Sequence, residues 1–280
     1  MSKTNVKFGP FEYPNESGSQ STSIQPVRPP VGWDFPWNNG LWYTMAAALV
    51  AYIVMYLSSY ACTLMLIEAV SAVIPRPILQ ANADVTVAII DQISDTLGGG
   101  LAIGLLWSLS QRRHLATLLR ARWSDLSATL GKTIVHAALG FAFALVFDWL
   151  YIKAWSPLGL HRGEGNYDSD FKGLAAFIAG TTSIIVIPVI ETTFCQGFIY
   201  GAFLRALSLR GLPPLINILG ASIMSALYFV LVHWTLSSAS IDFIPIFVFS
   251  LVAAEVYRRS GNLFAPLLMN VVGSALLAVS

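Results

Sequence analysis

Long apolar stretches, interrupted by short polar segments, make up most of the chain after residue 40. A bilayer core about 30 Å thick needs about 20 apolar residues per helix, and lipid offers no hydrogen-bond partner to an open backbone. The pattern therefore predicts membrane-spanning helices, and seven of them fit. The predicted spans are residues 41–75, 86–110, 128–152, 173–204, 213–236, 240–257 and 261–280. The first and fourth are longer than one span needs, so we expect tilt, extension or a break, which Pro188 favours in the fourth.

The composition is typical of a membrane protein. Of the 280 residues, 55% are hydrophobic and only 11% are charged, and the mean hydropathy is +0.65. Soluble domains carry about 25% charged residues. We therefore predict an all-α, polytopic transmembrane helix bundle whose partner is the lipid bilayer. The formal net charge of +1 argues against a nucleic-acid partner, which would need a clustered basic face.

The pattern divides the chain into three regions. Residues 1–40 are polar and rich in proline and serine. Such a segment cannot build a core of its own, and it is predicted to form a cytoplasmic tail. Residues 41–165 hold the N-terminal transmembrane helices, and residues 166–280 hold the core helices with the polar motifs described below. We expect the tail and the helices to contact other membrane proteins.

Lysine and arginine in the short loops set the expected orientation, because cytoplasmic loops carry an excess of both. With the N-terminus in the cytoplasm, the inner loops and their edges hold nine of them and the outer loops hold four. The inner set is Arg112, Arg113, Arg120, Arg122, Lys132, Arg205, Arg210, Arg258 and Arg259, and the outer set is Arg76, Lys153, Arg162 and Lys172. An integral, multi-pass protein with its C-terminus on the opposite side of the membrane is therefore predicted.

Ionisable residues inside the predicted spans are functional candidates, because each costs roughly 2.5 kcal/mol or more at a helix centre. They are Glu68, Asp91, Asp95, His136, Asp148, Glu191 and His233. Asp91 and Asp95 lie four residues apart and share a helix face, which fits either helix pairing or the ion site of a transporter. Close by, Gly100 and Gly104 form a small-xxx-small pair that predicts close helix packing.

Other polar and sulfur-bearing positions have simpler interpretations. Glu255 lies one turn from Arg258 and Arg259, so a local ion pair is expected there. Cys62 and Cys195 fall inside apolar segments and are predicted to be buried thiols that act as small hydrophobic residues.

Glu191 and His233 are the most informative pair. A carboxylate beside an imidazole is the minimum set for activating a water molecule toward a peptide carbonyl. Counted from the predicted inner loop, Glu191 lies about 14 residues up one helix and His233 about 20 up the next. At about 1.5 Å per residue, the expected difference in depth is about 10 Å. Tilt, or a break at Pro188, is needed to bring the two side chains together.

Three motifs follow one another in the C-terminal half. Their segments are PVIETTFCQGFIYGAFLRAL, ALYFVLVHW and VAAEVYRRSGNLFAPLLMNVVGSAL. In order and spacing they resemble the CAAX prenyl endopeptidase and bacteriocin-processing (CPBP, or Abi) family of intramembrane proteases, over about residues 170–280. That family carries a Glu-Glu-x-x-x-Arg helix, a Phe-x-x-x-His helix and a His-x-x-x-Asn helix. Glu191 matches the first glutamate, and Phe229 and His233 match the second motif.

Four motif positions depart from the pattern of that family. Thr192 stands for the second glutamate, Gln196 for the arginine, Asn270 for the second histidine and Ser274 for the final asparagine. Removing one partner of a buried ion pair costs about 3–5 kcal/mol. Here both Thr192 and Gln196 are neutral, and at a four-residue spacing they can hydrogen-bond each other. Asn270 and Ser274 likewise keep hydrogen-bonding capacity without a group that titrates.

The resemblance implies roles for the residues that survive. Glu191 and His233 stand where the family activates water, and Asn270 stands where it holds the oxyanion. An asparagine can still donate an amide hydrogen bond to an oxyanion. One histidine, one glutamate and one asparagine fall short of the usual three strong zinc ligands. No metal and no cofactor are predicted.

Three functions stay open on the sequence alone. The favoured one is a noncatalytic descendant of the protease fold that serves as a subunit or scaffold of a membrane protein complex. The second is an active endopeptidase that cuts membrane-associated or prenylated proteins. The third is a transporter, or a lipid or pigment carrier, that uses Asp91 and Asp95.

Overall fold

A computed structural model describes residues 40–81, 83–109, 123–155, 180–234 and 243–277. All regular elements in these ranges are helices, which confirms the predicted all-α class. We number them α1 to α8 along the chain. They are α1 Gly40–Val73, α2 Arg76–Ala81, α3 Ala83–Leu109, α4 Trp123–Trp155, α5 Thr182–Ser208, α6 Pro214–Trp234, α7 Phe243–Ser260 and α8 Phe264–Leu277. The predicted tail lies outside the described residues except for Gly40, where α1 begins.

Four helices in the described ranges are long and apolar enough to cross a membrane. They are Leu41–Val73 in α1, Leu130–Trp155 in α4, Thr182–Ser208 as α5 and Pro214–His233 in α6. The other three predicted spans correspond to α3, α7 and α8. Helix α3 carries Asp91 and Asp95, α7 has 18 residues with two arginines in its last turn, and α8 has only 14 residues. A multi-pass membrane protein is thus supported, and the count of seven spans stays a prediction.

Helix α5 forms the centre of the bundle. It contacts α3, α6, α7 and α8, and the last part of it contacts α1. Its side chains are the most buried of any helix, because apolar residues occupy all sides of it rather than one face. The main core is assembled around it from large aromatic residues. They include Phe194, Phe198, Tyr200, Phe203, Tyr228, Phe229 and Tyr257.

Two π-helical turns interrupt α5, at Thr182–Val186 and at Thr193–Tyr200. Between them, Ile187–Thr192 is regular α-helix and contains Pro188. A proline inside a helix lacks an N–H group and clashes with the carbonyl four residues earlier. The first π turn lies just before Pro188 and accommodates it without a break, because a π turn shifts the hydrogen-bond register by one residue. Of the alternatives for this long segment, a break at Pro188 does not occur, because α5 is continuous there.

Close helix packing occurs at different glycines from those predicted. An added Cβ at Gly98 would lie 2.6 Å from the carbonyl oxygen of Met55 on α1, and one at Gly99 would lie 2.3 Å from Ile190 on α5. Around Gly100 and Gly104, no atom lies within 4 Å of the corresponding position. The small-residue surface of α3 therefore begins two residues earlier than expected, because the helix turns Gly100 and Gly104 away from its neighbours.

Candidate active site

Glu191 lies in the short regular stretch of α5, between the two π turns. Its side chain is only 6% exposed. Among the described residues, His233 is the one basic side chain within ion-pair distance of this carboxylate. A buried carboxylate is stable only when neighbouring groups satisfy it, so the residues around Glu191 define the candidate site.

His233, in the last turn of α6, provides the first of these groups. Its Nε2 lies 3.4 Å from Oε1 of Glu191, and its side chain is 29% exposed. The expected difference in depth of about 10 Å is wrong. Glu191 lies 17 residues before the end of α5 at Ser208 (208 − 191), and His233 lies 19 residues after the start of α6 at Pro214 (233 − 214). The offset of two residues corresponds to about 3 Å.

Phe229 orients the imidazole. One turn before His233 on α6, its carbonyl oxygen lies 2.9 Å from Nδ1 of His233, and the two rings pack with centroids 4.4 Å apart. A carbonyl only accepts hydrogen bonds, so Nδ1 carries the hydrogen and Nε2 is bare in the neutral imidazole. Nε2 is therefore the nitrogen that faces Oε1 of Glu191, and a carboxyl group beside an imidazole nitrogen is the arrangement of an acid–base pair.

Asn270 on α8 satisfies the other carboxylate oxygen. Its Nδ2 donates to Oε2 of Glu191 at 3.2 Å and to Oγ1 of Thr192 at 3.3 Å. All three residues are buried. A side-chain amide carries two hydrogens on its nitrogen, and both are directed at neighbours on α5. The geometry thus joins Glu191, His233 and Asn270, the three residues that the sequence nominated.

Thr192 and Gln196 do not bond each other, contrary to expectation. Thr192 accepts from Asn270, and Gln196 donates from Nε2 to Oγ of Ser250 on α7 at 3.2 Å. The second π turn begins between them at Thr193, so the four-residue spacing does not have regular α-helical geometry. The two positions where the family carries glutamate and arginine are therefore bonded here to two different helices, α8 and α7.

Ser274 stands one turn after Asn270 on α8 and is half-buried. In the ranges that the structure describes, it makes no hydrogen bond. Ser250, in contrast, is fully buried and binds Gln196, although the sequence analysis did not identify it. The only signal was a lone serine between phenylalanine and leucine in α7, which is too common in transmembrane helices to indicate a site.

Asp91 and Asp95 lie on α3 and face hydroxyl groups of α1. Ser59 donates to Asp95, and Thr63 lies 3.5 Å from Asp91. The two hydroxyls on α1 are four residues apart, as the two aspartates are on α3. The contacts therefore join one face of each helix and place the aspartates in the α1–α3 pair.

Two further ionisable residues contact groups on their own helices. Glu255 binds Arg258 and Arg259 as predicted, with 2.6 Å between Oε1 and Nη2 of Arg258. His136 contacts the carbonyl of Lys132 on its own helix. Across the described parts of the chain, no three His, Cys, Asp or Glu residues cluster in a way that could hold a metal ion.

A comparison with models of known protein families gives a match. Residues 173–275 match a family model described as type II CAAX prenyl endopeptidase Rce1-like. The comparison with curated proteins gave no match, and neither did the comparison with solved structures. The matched segment includes Glu191, His233 and Asn270. The match over residues 173–275 therefore supports membership of the CPBP family of CAAX prenyl endopeptidase-like membrane proteins.

Proposed function

We propose that this chain is a multi-pass membrane protein that keeps the folded site of a CAAX endopeptidase without its hydrolytic activity. It would serve as a subunit or scaffold of a membrane protein complex. The N-terminus would lie in the cytoplasm and the C-terminus on the other side. The bilayer is its environment, and the helices and the tail of residues 1–40 would provide the contacts to protein partners.

The hydrogen bonds of Asn270 carry this proposal. An oxyanion must be stabilised by donors that point toward the place where its charge develops. Asn270 stands at the position of the family's oxyanion-binding histidine, but both hydrogens of its amide are directed at Glu191 and Thr192. Its donors therefore stabilise the resting carboxylate, and stabilising the ground state does not lower a reaction barrier.

The neutral replacements support the same conclusion. Thr192 and Gln196 are both buried. Thr192 is hydrogen-bonded to Asn270 and Gln196 to Ser250, and both partners are neutral. A site that loses both members of an ion pair avoids the cost of leaving one charge unpaired. The site thus avoids an unpaired charge, and its titratable groups are reduced to Glu191 and its partner His233.

Cleavage in proteoliposomes tests the catalytic half of the proposal. Purified protein would be incubated with a farnesylated peptide that ends in a CAAX sequence, and the released tripeptide would be measured. Wild type is expected to release no more product than Glu191→Gln or His233→Ala. Release by wild type that disappears in both variants would overturn the proposal.

Native mass measurement after extraction in mild detergent tests the scaffold half. A complex heavier than the chain with its detergent is expected, and deletion of residues 1–39 is expected to reduce its yield. A protein that is monomeric in its own membrane extract, with or without these residues, would contradict a role as a subunit.

An active endopeptidase is the second candidate, and the contact of 3.4 Å between Glu191 and His233 favours it. In that case the pair would activate water, with Asn270 turning from Glu191 to the oxyanion when substrate arrives. Phe229 would hold the histidine. The cleavage assay separates the two candidates, because only this one expects product.

A transporter or carrier is not favoured by the contacts of α3. Asp91 and Asp95 face Thr63 and Ser59 on α1, which is the arrangement of a helix-pairing surface. Ion flux through proteoliposomes that depends on both aspartates would be the result in favour of a carrier.

A further inference from the structure

The start of α8 is held by a buried asparagine that is not itself part of the candidate active site. Asn262 is 6% exposed and lies two residues before Phe264, where α8 begins. Its Oδ1 accepts a hydrogen bond from the backbone N–H of Ala265 at 3.1 Å. The N–H groups in the first turn of a helix have no partner within that helix, so Asn262 provides the partner that one of them lacks.

The amide nitrogen of Asn262 reaches a different helix. Its Nδ2 donates to Oγ1 of Thr133 on α4 at 2.7 Å, and Thr133 is 3% exposed. The oxygen of the amide is thus bonded to α8 and its nitrogen to α4. Because the amide is one planar group with an acceptor and a donor at fixed positions, these two bonds fix the start of α8 relative to α4.

The turn before Asn262 defines the position from which it reaches α4. Helix α7 ends at Ser260 and α8 begins at Phe264, so three residues connect them. Gly261 has a φ of +71°, a left-handed conformation that glycine adopts at low cost. The hydroxyl oxygen of Ser260 lies 3.1 Å from the carbonyl oxygen of Asn262. A short turn with its own internal contact therefore carries Asn262.

A second contact between α4 and α8 lies two turns further along. Gly140 comes seven residues after Thr133 on α4. Met269 likewise comes seven residues after Asn262. A Cβ added at Gly140 would lie 2.4 Å from Cγ2 of Val256 on α7 and 3.2 Å from the sulfur of Met269. The two contacts advance by the same number of residues on both helices, so α4 runs alongside α8 from its start to Met269.

The contact at Met269 is next to the candidate active site. The following residue, Asn270, donates to Oε2 of Glu191 at 3.2 Å and to Oγ1 of Thr192 at 3.3 Å. A hydrogen bond weakens steeply when its donor moves away or turns. The bond to Glu191 therefore depends on the depth and the rotation of α8, and the contacts with α4 constrain both.

We propose that Thr133 and Asn262 are positioning residues of the candidate active site. Their hydrogen bond, together with the close approach of α4 at Gly140, holds α8 where Asn270 binds Glu191. They act through α8 and not through the carboxylate itself. Functional groups are held precisely when supporting residues are themselves locked by packing and hydrogen bonds.

The proposal gives α4 a part in the site. Thr133 and Gly140 lie outside residues 173–275, the segment that matches the endopeptidase family. The site would thus depend on a helix that the family match does not include. The inference rests on the contact between Asn270 and Glu191, and it is independent of whether the site hydrolyses a peptide.

Infrared difference spectroscopy of the full chain in lipid nanodiscs tests the proposal. The band of the Glu191 carboxyl group is the one lost in Glu191→Gln, and Asn270→Leu gives its position without the hydrogen bond from the amide. Thr133→Val keeps the shape of the side chain and removes the acceptor, so the band is expected to shift toward its position in Asn270→Leu. Thr133→Ser keeps a hydroxyl, and the wild-type position is expected.

Thr63→Val is the matched control, because Thr63 also presents its hydroxyl to a neighbouring helix, at 3.5 Å from Asp91. It is expected to leave the band in place. A band that stays in place in Thr133→Val would overturn the proposal, and so would an equal shift in Thr133→Ser or Thr63→Val. A band that does not move in Asn270→Leu would also overturn it. None of these outcomes depends on the cleavage assay, so a failure here is distinct from a failure of the proposed function.

A pair of glycine variants tests the second contact. Gly140→Ala places Cβ against Val256 and forces α4 away from its neighbours, so the band is expected to shift in the same direction as in Thr133→Val. Gly131→Ala is on the same helix and meets no atom within 4 Å, and it is expected to leave the band in place. An unchanged band in Gly140→Ala, or an equal shift in both variants, would overturn the role of α4 at Gly140.

Discussion

The α1–α3 pair and the α5–α8 bundle use polar residues in opposite ways. Between α1 and α3, hydroxyls meet aspartates along one face, and Gly98 lets the helices approach closely. The outward side of α1 remains apolar and exposed, as at Leu57 and Met65. In the bundle, Glu191 is buried and is held by side chains from two other helices. A carboxylate therefore joins two helices in one region and contacts side chains of two other helices in the other.

The comparison shows that burial, and not charge alone, distinguishes a candidate active site from polar contacts that only join two helices. Lipid-exposed helices gain little from hydrophobic association, so small residues and single hydrogen bonds must join them. A bundle closed around a central helix can instead bury aromatic groups and exclude water. Only the second environment makes each hydrogen bond of a carboxylate costly to remove.

Loss of a core aromatic residue should have the largest effect. Phe194→Ala, in a residue 1% exposed on α5, is expected to lower the free energy of unfolding by about 3–5 kcal/mol because it leaves a cavity. Phe143→Ala, in a residue 58% exposed on α4, is the matched control and should cost much less. Reversible unfolding in mixed detergent micelles measures both, and equal losses would remove the distinction between core and lipid-facing surface.

Loss of the hydrogen bonds of Asn270 should come next. Asn270→Leu leaves Oε2 of Glu191 and Oγ1 of Thr192 unsatisfied, at an expected cost of about 1–3 kcal/mol. Combining it with Glu191→Gln should recover part of the loss, since the amide is less costly to bury than a carboxylate. Strictly additive losses in a double-mutant cycle would show that the two residues do not interact.

In the α1–α3 pair, a single methyl group is expected to matter. Gly98→Ala places Cβ against the carbonyl of Met55, so we expect about 1–3 kcal/mol of destabilisation from overpacking. Gly100→Ala meets nothing within 4 Å and should be neutral or stabilising by about 0.5–1 kcal/mol, because alanine favours helix. Thermal unfolding of the two variants side by side measures the difference. The reverse order of stability would mean that α1 and α3 pack on another face.

The smallest effect is expected at the end of α7. Glu255→Gln weakens the contacts with Arg258 and Arg259, which are partly exposed, and such pairs contribute about 0.2–1 kcal/mol. The loss should shrink further in high salt, because exposed charges are screened. A salt titration of the melting temperature of wild type and variant checks this. A large loss that persists in high salt would place Glu255 among the buried polar groups of the bundle.

Much of the candidate site could be predicted from the sequence, because three motifs follow one another in the order and spacing of a known family. Glu191, His233 and Asn270 were nominated from them, and the structure brings all three together. Ser250 was missed, because a single serine in an apolar helix carries no distinctive signal. The bond expected between Thr192 and Gln196 failed because the π turn changes the geometry that a regular helix would give.

The fold was predicted in class but not in detail. Long runs of apolar residues indicate helices reliably, because in lipid the backbone N–H and C=O groups must form their hydrogen bonds within the segment. Helix ends are weaker signals, and an error of a few residues at the loop between α5 and α6 produced the false difference in depth between Glu191 and His233. Likewise the glycines of α3 were recognised as a packing signal, but their orientation depends on how α3 meets α1 and α5.

By itself, then, the sequence determined that the chain is an apolar helical protein and that its C-terminal helices carry a carboxylate, an imidazole and an amide at family positions. Apolarity and local spacing are properties of short segments, so they can be read directly. Only the tertiary structure decided which partner each polar group has. The amide of Asn270 binds Glu191, Gln196 binds Ser250, and Asp95 accepts from Ser59. These partners lie on other helices, and their positions depend on tilt, π turns and packing that no single segment encodes.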